Sequence, residues 1–382
     1  MKKIMLVFGT RPEAVKMCPL VLELKKRKNI ETIVCVTGQH REMLMQVLDY
    51  FGVVPDYNLD IMKECQDLFH ITEDTLSGIR AVAEKEKPDL VLVHGDTTTS
   101  FAAALSCLYL GIPVGHVEAG LRTYHMDSPY PEEYNRQAID TIARIHFAPT
   151  ETAVRNLRRE GKASDGIFLT GNTVIDAFRY TVKPEVTHPE LSWAEGSRLL
   201  LITAHRRENT GAPMHRMFRA IRRVIEDHPD VKAIYPVHRN PAIRAIAEEE
   251  FEGCDRVHLI EPLDPAAFHN FEARCFLCLT DSGGLQEELP FFGKPVLVLR
   301  DTTERPEGIS LGAARLIGTE EETVAQSITA VLDDPDVYAS FTGARNLYGD
   351  GHACERIVDI CIRFLCSTDS PENDSSIQRE EK

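Results

Sequence analysis

Short apolar runs alternate with longer amphipathic stretches along this chain, and the rhythm occurs twice. The first series is KIMLVF, IETIVCV, DLVLVHG, IPVGHVE, IHFAPT and GIFLTG. Between these runs lie stretches with apolar residues at helical spacing, such as DLFHITEDTLSGIRAVAEKE. Such alternation demands a mostly parallel sheet, because parallel neighbours need a helical crossover. Residues 176–197 break the rhythm with Pro184, Pro189 and the only tryptophan, Trp193. A second series then follows: RLLLITA, VKAIYPV, RVHLIEP, CFLCLTD and KPVLVLR. A chain of 382 residues is too long for one small core. The expected fold is α/β, with two Rossmann-like domains facing across a cleft. The expected boundaries are 1–172 plus a returning helix at 351–366, then 173–350. Residues 53–66 read as irregular, and the polar tail 367–382 as disordered.

Composition narrows the function. The net charge of −16 argues against a chain built as a whole for nucleic acid or an anionic membrane. No run approaches the roughly 18 apolar residues of a membrane span. The N-terminal MKKIMLVFGTRPEA reads as a first strand entering a turn, not as a signal peptide. Ten cysteines are scattered, several within apolar runs, which suits a reducing cytoplasm. Cys275 and Cys278 form one C-x-x-C inside an apolar run with no second pair, so core packing is the expected role. His94 and His116 lie beside acids but lack metal-ligand spacing, and no metal or cofactor is expected.

Three acids stand out between residues 91 and 137. Asp96 and Glu118 each follow an apolar run, and Glu132 follows a Pro-rich turn and opens a helix. Carboxylates at the carboxyl ends of neighbouring parallel strands point to where ligands bind. Taken singly, each is explained equally well by an ion pair to an arginine. G-T-R-P-E-A after the first strand places Arg11 in a βα turn, with Lys16 further on. Amide groups at a helix start, with an arginine, favour an anion. This is not the G-x-G-x-x-G fingerprint of dinucleotide binding. T-D-S-G-G-L-Q-E-E is the matching turn of the second series. Ser282, Gly283 and Gly284 there allow close approach to a phosphate, and Glu288 one turn later could take ribose hydroxyls. His205 and Arg206 in TAHRREN, and His238 in PVHRNP, add positive charge at two more strand ends.

At these residues the chain resembles the non-hydrolysing UDP-N-acetylglucosamine 2-epimerases. The matching pieces are GTRPEAVKMCPL, TGQHREML, HGDTTTS, HVEAGLRT, SPYPEEYNRQ, GNTVIDA, TAHRREN, PVHRNP, TDSGGLQEE and RDTTERPEG, in family order. The resemblance implies a glycosyltransferase-B type fold and reversible conversion of UDP-N-acetylglucosamine to UDP-N-acetylmannosamine. UDP is eliminated to give a 2-acetamidoglucal and then added back, which supplies N-acetylmannosamine for cell-surface polysaccharide. It implies catalytic roles for Asp96, Glu118, Glu132 and His205. It implies substrate binding by Arg11, Lys16, Phe268, Ser282, Gly283, Gly284, Glu288 and Arg305. A homodimer is expected, as is a second UDP-N-acetylglucosamine acting as activator on Gln39, His40, Arg206 and His238. Glu42 and Cys65 depart from the family pattern, so weakened activation is expected. The rival readings are a glycosyltransferase of the same fold and a hydrolysing epimerase.

Overall fold

The computed structural model describes residues 1–38, 41–63, 66–127, 129–344 and 346–367, without the side chains of residues 41, 42, 207 and 344. Gln39, His40, Cys65, the Glu42 side chain and the tail from residue 368 therefore lie outside the described residues.

The chain divides into two units, Met1–Ala177 with the stretch from Gly351 onward, and Phe178–Asp350. The first holds seven strands: β1 (Lys2–Phe8), β2 (Ile30–Val36), β3 (Tyr57–Asn58), β4 (Leu90–His94), β5 (Val114–Val117), β6 (Ile145–Ala148) and β7 (Ile167–Leu169). The second holds six: β8 (Arg198–Thr203), β9 (Val231–Pro236), β10 (Val257–Ile260), β11 (Leu277–Thr280), β12 (Val296–Val298) and β13 (Arg315–Leu316). All pair in parallel. The orders are β3-β2-β1-β4-β5-β6-β7 and β10-β9-β8-β11-β12-β13. Both are the doubly wound arrangement, which reverses beside its first strand. Residues 53–66, read as irregular, contain β3, which pairs Tyr57 with Cys35 at the sheet edge.

Burial explains why the strands read as continuous apolar runs. Ile4 to Phe8 and Leu90 to Val93 are sealed from solvent, as expected of parallel strands covered on both faces. In the second unit, Met214, Met217, Phe218 and Ile221 of the helix Ala212–Asp227 pack into one core with Leu200, Ile202 and Tyr235. Each fully buried side chain of this size adds about 1.5–3 kcal/mol of transfer free energy. Cys275 and Cys278 are buried in this unit, and burial pushes the Cys275 thiol up to about 12.

The helix Thr173–Thr181 runs through the boundary between units. Its Asp176 caps the helix Ala353–Ser367, accepting from Ala353 N at 3.1 Å and Cys354 N at 2.8 Å. That helix also pairs Asp359 with Arg27 at 3.1 Å, so it belongs to the first unit.

Candidate active site

In the first unit the sheet order reverses between β1 and β4, with β5 next to β4. The turns after these three strands carry Arg11, Asp96 and Glu118. Thr10 caps the helix Arg11–Lys25 in a capping box with Glu13. Glu13 Oε2 also accepts from Gly9 N at 3.0 Å and Thr10 N at 2.8 Å. Its Oε1 accepts from Thr97 Oγ1 at 2.7 Å and Ser100 Oγ at 3.0 Å. The two amides that open this turn are thus donated to the chain's own carboxylate, and the positive charge offered there comes from the Arg11 and Lys16 side chains. Gly9 has no room for a side chain, since an added Cβ would stand 2.0 Å from Thr37 Oγ1.

Glu118 has the left-handed backbone conformation, with φ of 67°. A non-glycine residue there is uncommon and costs about 1–3 kcal/mol. The surroundings hold it. The buried Glu118 carboxylate is ion-paired to Lys16 Nζ, accepts from Asn172 Nδ2 at 2.8 Å and lies 3.6 Å from His94 Nε2. Burial pushes its pKa up, but Lys16 and His94 outweigh burial and keep it well below the usual carboxylate range. Asp96 is more open, with 30% of its side chain exposed, and accepts from Arg136 Nη1 at 3.0 Å. Arg136 lies on the helix Glu132–Ile142, one turn after Glu132. That ion pair, and the bond from Asn135 Nδ2 to Asp96 O at 2.8 Å, tie the helix that carries Glu132 to the end of β4. Glu132 Oε2 is buried and has no hydrogen-bond partner among the described residues. His116 is structural: its ring nitrogens face Asp140 Oδ1 at 2.6 Å and Gly95 O at 2.7 Å.

In the second unit the order reverses between β8 and β11. Thr203 and Thr280 are opposite each other at these strand ends, with Oγ1 atoms 2.7 Å apart. Buried Asp281 accepts from His205 N at 2.9 Å, Arg206 N at 2.9 Å and Asn209 Nδ2 at 3.2 Å. The turn of His205 and Arg206 is thereby fixed to the turn Ser282–Gly284. The His205 and His238 rings stack with centroids 5.7 Å apart. Burial and the neighbouring His205 push the His238 pKa down.

Arg206 donates Nε to Asp281 O at 2.8 Å and pairs with Glu304 at 3.4 Å. Arg305 donates Nε to Glu287 Oε1 at 2.6 Å and pairs with Glu304 at 3.2 Å. An added Cβ at Gly283 would stand 2.4 Å from Glu304 Oε1, so only glycine lets these groups close on the turn. Phe268 is half-buried on the helix Pro265–Arg274, and Glu288 ends the short helix Leu285–Glu288.

The structure therefore brings the predicted residues into two clusters. In the first unit Lys16 pairs with Glu118, and Arg136 ties Asp96 to the helix that carries Glu132. His205, Arg206, His238, the Ser282–Gly284 turn and Arg305 are linked in the second. Sequence reasoning missed Asn172, Glu13, Asp281, Glu287 and Glu304, which orient these groups. All five stand in recognised pieces, Glu13 in GTRPEAVKMCPL, Asn172 in GNTVIDA, Asp281 and Glu287 in TDSGGLQEE and Glu304 in RDTTERPEG, and that was the available signal.

Fold and site together define a class: an α/β protein of two Rossmann-like units, with carboxylates at the reversal point of one sheet and a small-residue turn flanked by cations at that of the other. The fold is of the glycosyltransferase-B type. A solved glycosyltransferase of kitacinnamycin shares it with a TM-score of 0.66 over 95% of this chain and 99% of its own, and at 13% identity shows the fold alone. The chain belongs to the UDP-N-acetylglucosamine 2-epimerase family, whose model matches residues 22–362. The UDP-N-acetylglucosamine 2-epimerase of Bacillus subtilis is 56% identical over 357 residues, 94% of each chain. The Neisseria meningitidis enzyme, solved with UDP-N-acetylglucosamine bound, matches with a TM-score of 0.87 at 44% identity, over 94% of this chain and all of its own.

Proposed function

We propose that the protein interconverts UDP-N-acetylglucosamine and UDP-N-acetylmannosamine without hydrolysis, by eliminating UDP to a bound 2-acetamidoglucal and adding it back. The observation that carries this reading is the state of Glu118, a buried carboxylate kept ionised by Lys16 and His94 in a family that acts at C2 of this sugar.

The C2 proton of the substrate is not acidic, so cleavage of the C1–O bond runs ahead of proton loss. Positive charge then grows on the sugar and negative charge on the leaving UDP. Ionised Glu118 stabilises the first, in a buried setting where a fixed charge acts strongly. Glu132 presents a buried oxygen with no hydrogen-bond partner among the described residues, which suits it to take the C2 proton. Asp96, held by Arg136, serves as the second acid–base group that inversion at C2 requires. His205, Arg11 and the Ser282–Gly284 turn stabilise the departing diphosphate, with Phe268, Glu288 and Arg305 holding the nucleoside. The reading includes a homodimer and a role in supplying N-acetylmannosamine for cell-surface polysaccharide. It also includes a second UDP-N-acetylglucosamine on Arg206 and His238 as a weak activator, so that kinetics with UDP-N-acetylmannosamine alone are hyperbolic.

The decisive experiment is incubation with UDP-N-acetylglucosamine in heavy water, followed by NMR. Deuterium at C2 of both UDP-sugars, with no acceptor and no free sugar, is the expected result. Free N-acetylmannosamine would mean a hydrolysing enzyme. No exchange at C2 would remove the epimerase reading and leave a transferase.

A further inference from the structure

One carboxyl group of the second unit has no part in the reaction described so far. Glu272, on the helix Pro265–Arg274, is completely buried. Neither of its oxygens has a hydrogen-bond partner among the described residues. It belongs to a cluster with His269 and Glu288, in which one ligand-type atom from each side chain lies within 4.8 Å of the others. His269 Nε2 stands 4.0 Å from Glu288 Oε2, while its Nδ1 is engaged with Thr181 Oγ1 at 2.8 Å. The other titratable groups near Glu272 are the buried thiols of Cys275 and Cys278, with Lys294 acting on Cys275.

Two ionised carboxylates this close, one wholly out of water, repel strongly unless a positive charge separates them. His269 does not supply it, because burial disfavours its charged form. The remaining counter-ion is a proton. Glu272 is the partner that takes it, since it is the more deeply buried of the two carboxyl groups, whose Glu288 member keeps 14% of its side chain exposed. Burial first, and Glu288 second, hold the Glu272 carboxyl well above the usual range.

We propose that Glu272 is a positioning residue: it stays protonated and shares that proton with Glu288, which fixes the Glu288 carboxylate for the nucleotide. The inference rests on the reading of Glu288 as a nucleotide-binding residue. A neutral acid donates one hydrogen bond where an ionised one donates none. Nucleotide binding then depends on a proton that no part of the substrate carries.

The test is calorimetric titration of UDP into the full-length protein, its Glu272→Gln and Glu272→Leu variants, and Glu288→Ala, from about pH 7 to about pH 9.5 with chelator present. Glu272→Gln keeps a permanent donor, so its affinity at the low end stays within about twofold of the parent and is flat with pH. The parent loses affinity only where the shared proton leaves, and Glu272→Leu, which cannot donate, lies about five- to tenfold below Glu272→Gln at every pH. Superimposed profiles for Glu272→Leu and Glu272→Gln would overturn the proposal. So would a zinc-dependent gain in UDP affinity, measured in a parallel titration without chelator, that Glu272→Gln abolishes, because the counter-ion would then be a metal. Unchanged affinity in Glu288→Ala would instead overturn the nucleotide role of Glu288 itself. Reduced affinity in Glu288→Ala with superimposed Glu272 profiles would remove the positioning role alone.

Discussion

The two units solve the same problem at the reversal points of their sheets and present different groups there. In the first, Glu13 fills the opening turn by accepting from Gly9, Thr10, Thr97 and Ser100. In the second, Asp281 does the same for His205, Arg206 and Asn209. Each is a buried carboxylate saturated with donors, and each sets the path of the backbone. The groups presented alongside differ: Asp96, Glu118 and Glu132 in one unit, His205, Arg206 and His238 in the other. A carboxylate after a parallel strand is therefore not functional by position alone. Its partners decide. Neutral donors on every side mark a structural group, whereas a cationic partner or an unsatisfied oxygen marks a carboxylate whose charge can act on a ligand.

The largest effect expected from this contrast is on turnover. Glu118→Gln keeps the size and the bond from Asn172 but removes the charge that the proposed function sets against the sugar. We expect kcat of the folded enzyme to fall by about 10²–10⁴-fold, with UDP affinity nearly unchanged and a stability loss of about 2–4 kcal/mol because Lys16 loses its buried partner. Steady-state kinetics beside a thermal melt decide it. A Glu118→Gln enzyme that turns over within a few fold of the parent would place Glu118 among the structural carboxylates and break the contrast.

Asp281→Ala should do the reverse, acting first on stability. Deletion strands two amides and the Asn209 side chain beneath the turn of His205 and Arg206. The expected loss is about 2–4 kcal/mol of unfolding free energy, read from denaturant titration, with weaker UDP binding as a consequence. Glu13→Ala should cost a similar amount through the first unit and leave UDP binding to the second unit's residues intact. If Glu13→Ala weakened UDP binding as much as Asp281→Ala, the turn before Arg11 would matter to UDP as much as the turn of His205 and Arg206.

Acid titration sharpens the comparison within the second unit. Burial raises the Glu304 carboxyl, but Arg305, Arg300 and Arg206 outweigh it and hold Glu304 at about 2. A depressed carboxylate contributes stability that is full above its unfolded value near 4.5 and vanishes as pH falls through its folded value. The parent should therefore exceed Glu304→Gln by on the order of 2 kcal/mol at neutral pH, and the gap should close between pH 4.5 and about 2. Glu272 has the opposite sign: its raised carboxyl means that the folded state becomes less favoured as pH rises, so Glu272→Gln should gain on the parent in alkali.

Much of this was legible in the residues. The apolar runs announced two parallel sheets because strands covered on both faces cannot hide their composition. β3 and β13 escaped because two residues show no periodicity. Asp96, Glu118 and the Ser282–Gly284 turn were visible because each follows a strand directly. The roles of Glu13 and Asp281 were not, because their donors come from elsewhere in the chain, 75 or more residues away for Thr97, Ser100, His205 and Arg206. The helix start at Arg11 read as an anion site, and the two amides just before it, Gly9 N and Thr10 N, are taken by the chain's own Glu13. Glu272 in FHNFEAR reads as one more polar helix residue until the fold buries it.

The smallest effect is expected where a chemical motif is present without its chemistry. A reactive C-x-x-C needs a thiol whose pKa is lowered by a helix start or a nearby cation. Here Cys275 ends the helix Pro265–Arg274, Cys278 lies inside β11, and both are sealed from solvent. Burial, the leading cause, pushes Cys275 up to about 12 and Cys278 well above its ordinary value. A thiol reagent followed by peptide mapping should label the exposed Cys366 quickly in the folded protein and leave both of these untouched until it unfolds. Cys278→Ala should cost about 1 kcal/mol, a small cavity's worth, and leave kcat unchanged. Fast labelling of Cys275 at neutral pH would show that the second unit opens where the helix Pro265–Arg274 enters β11, and that the packing around its turns is less rigid than the buried strands imply.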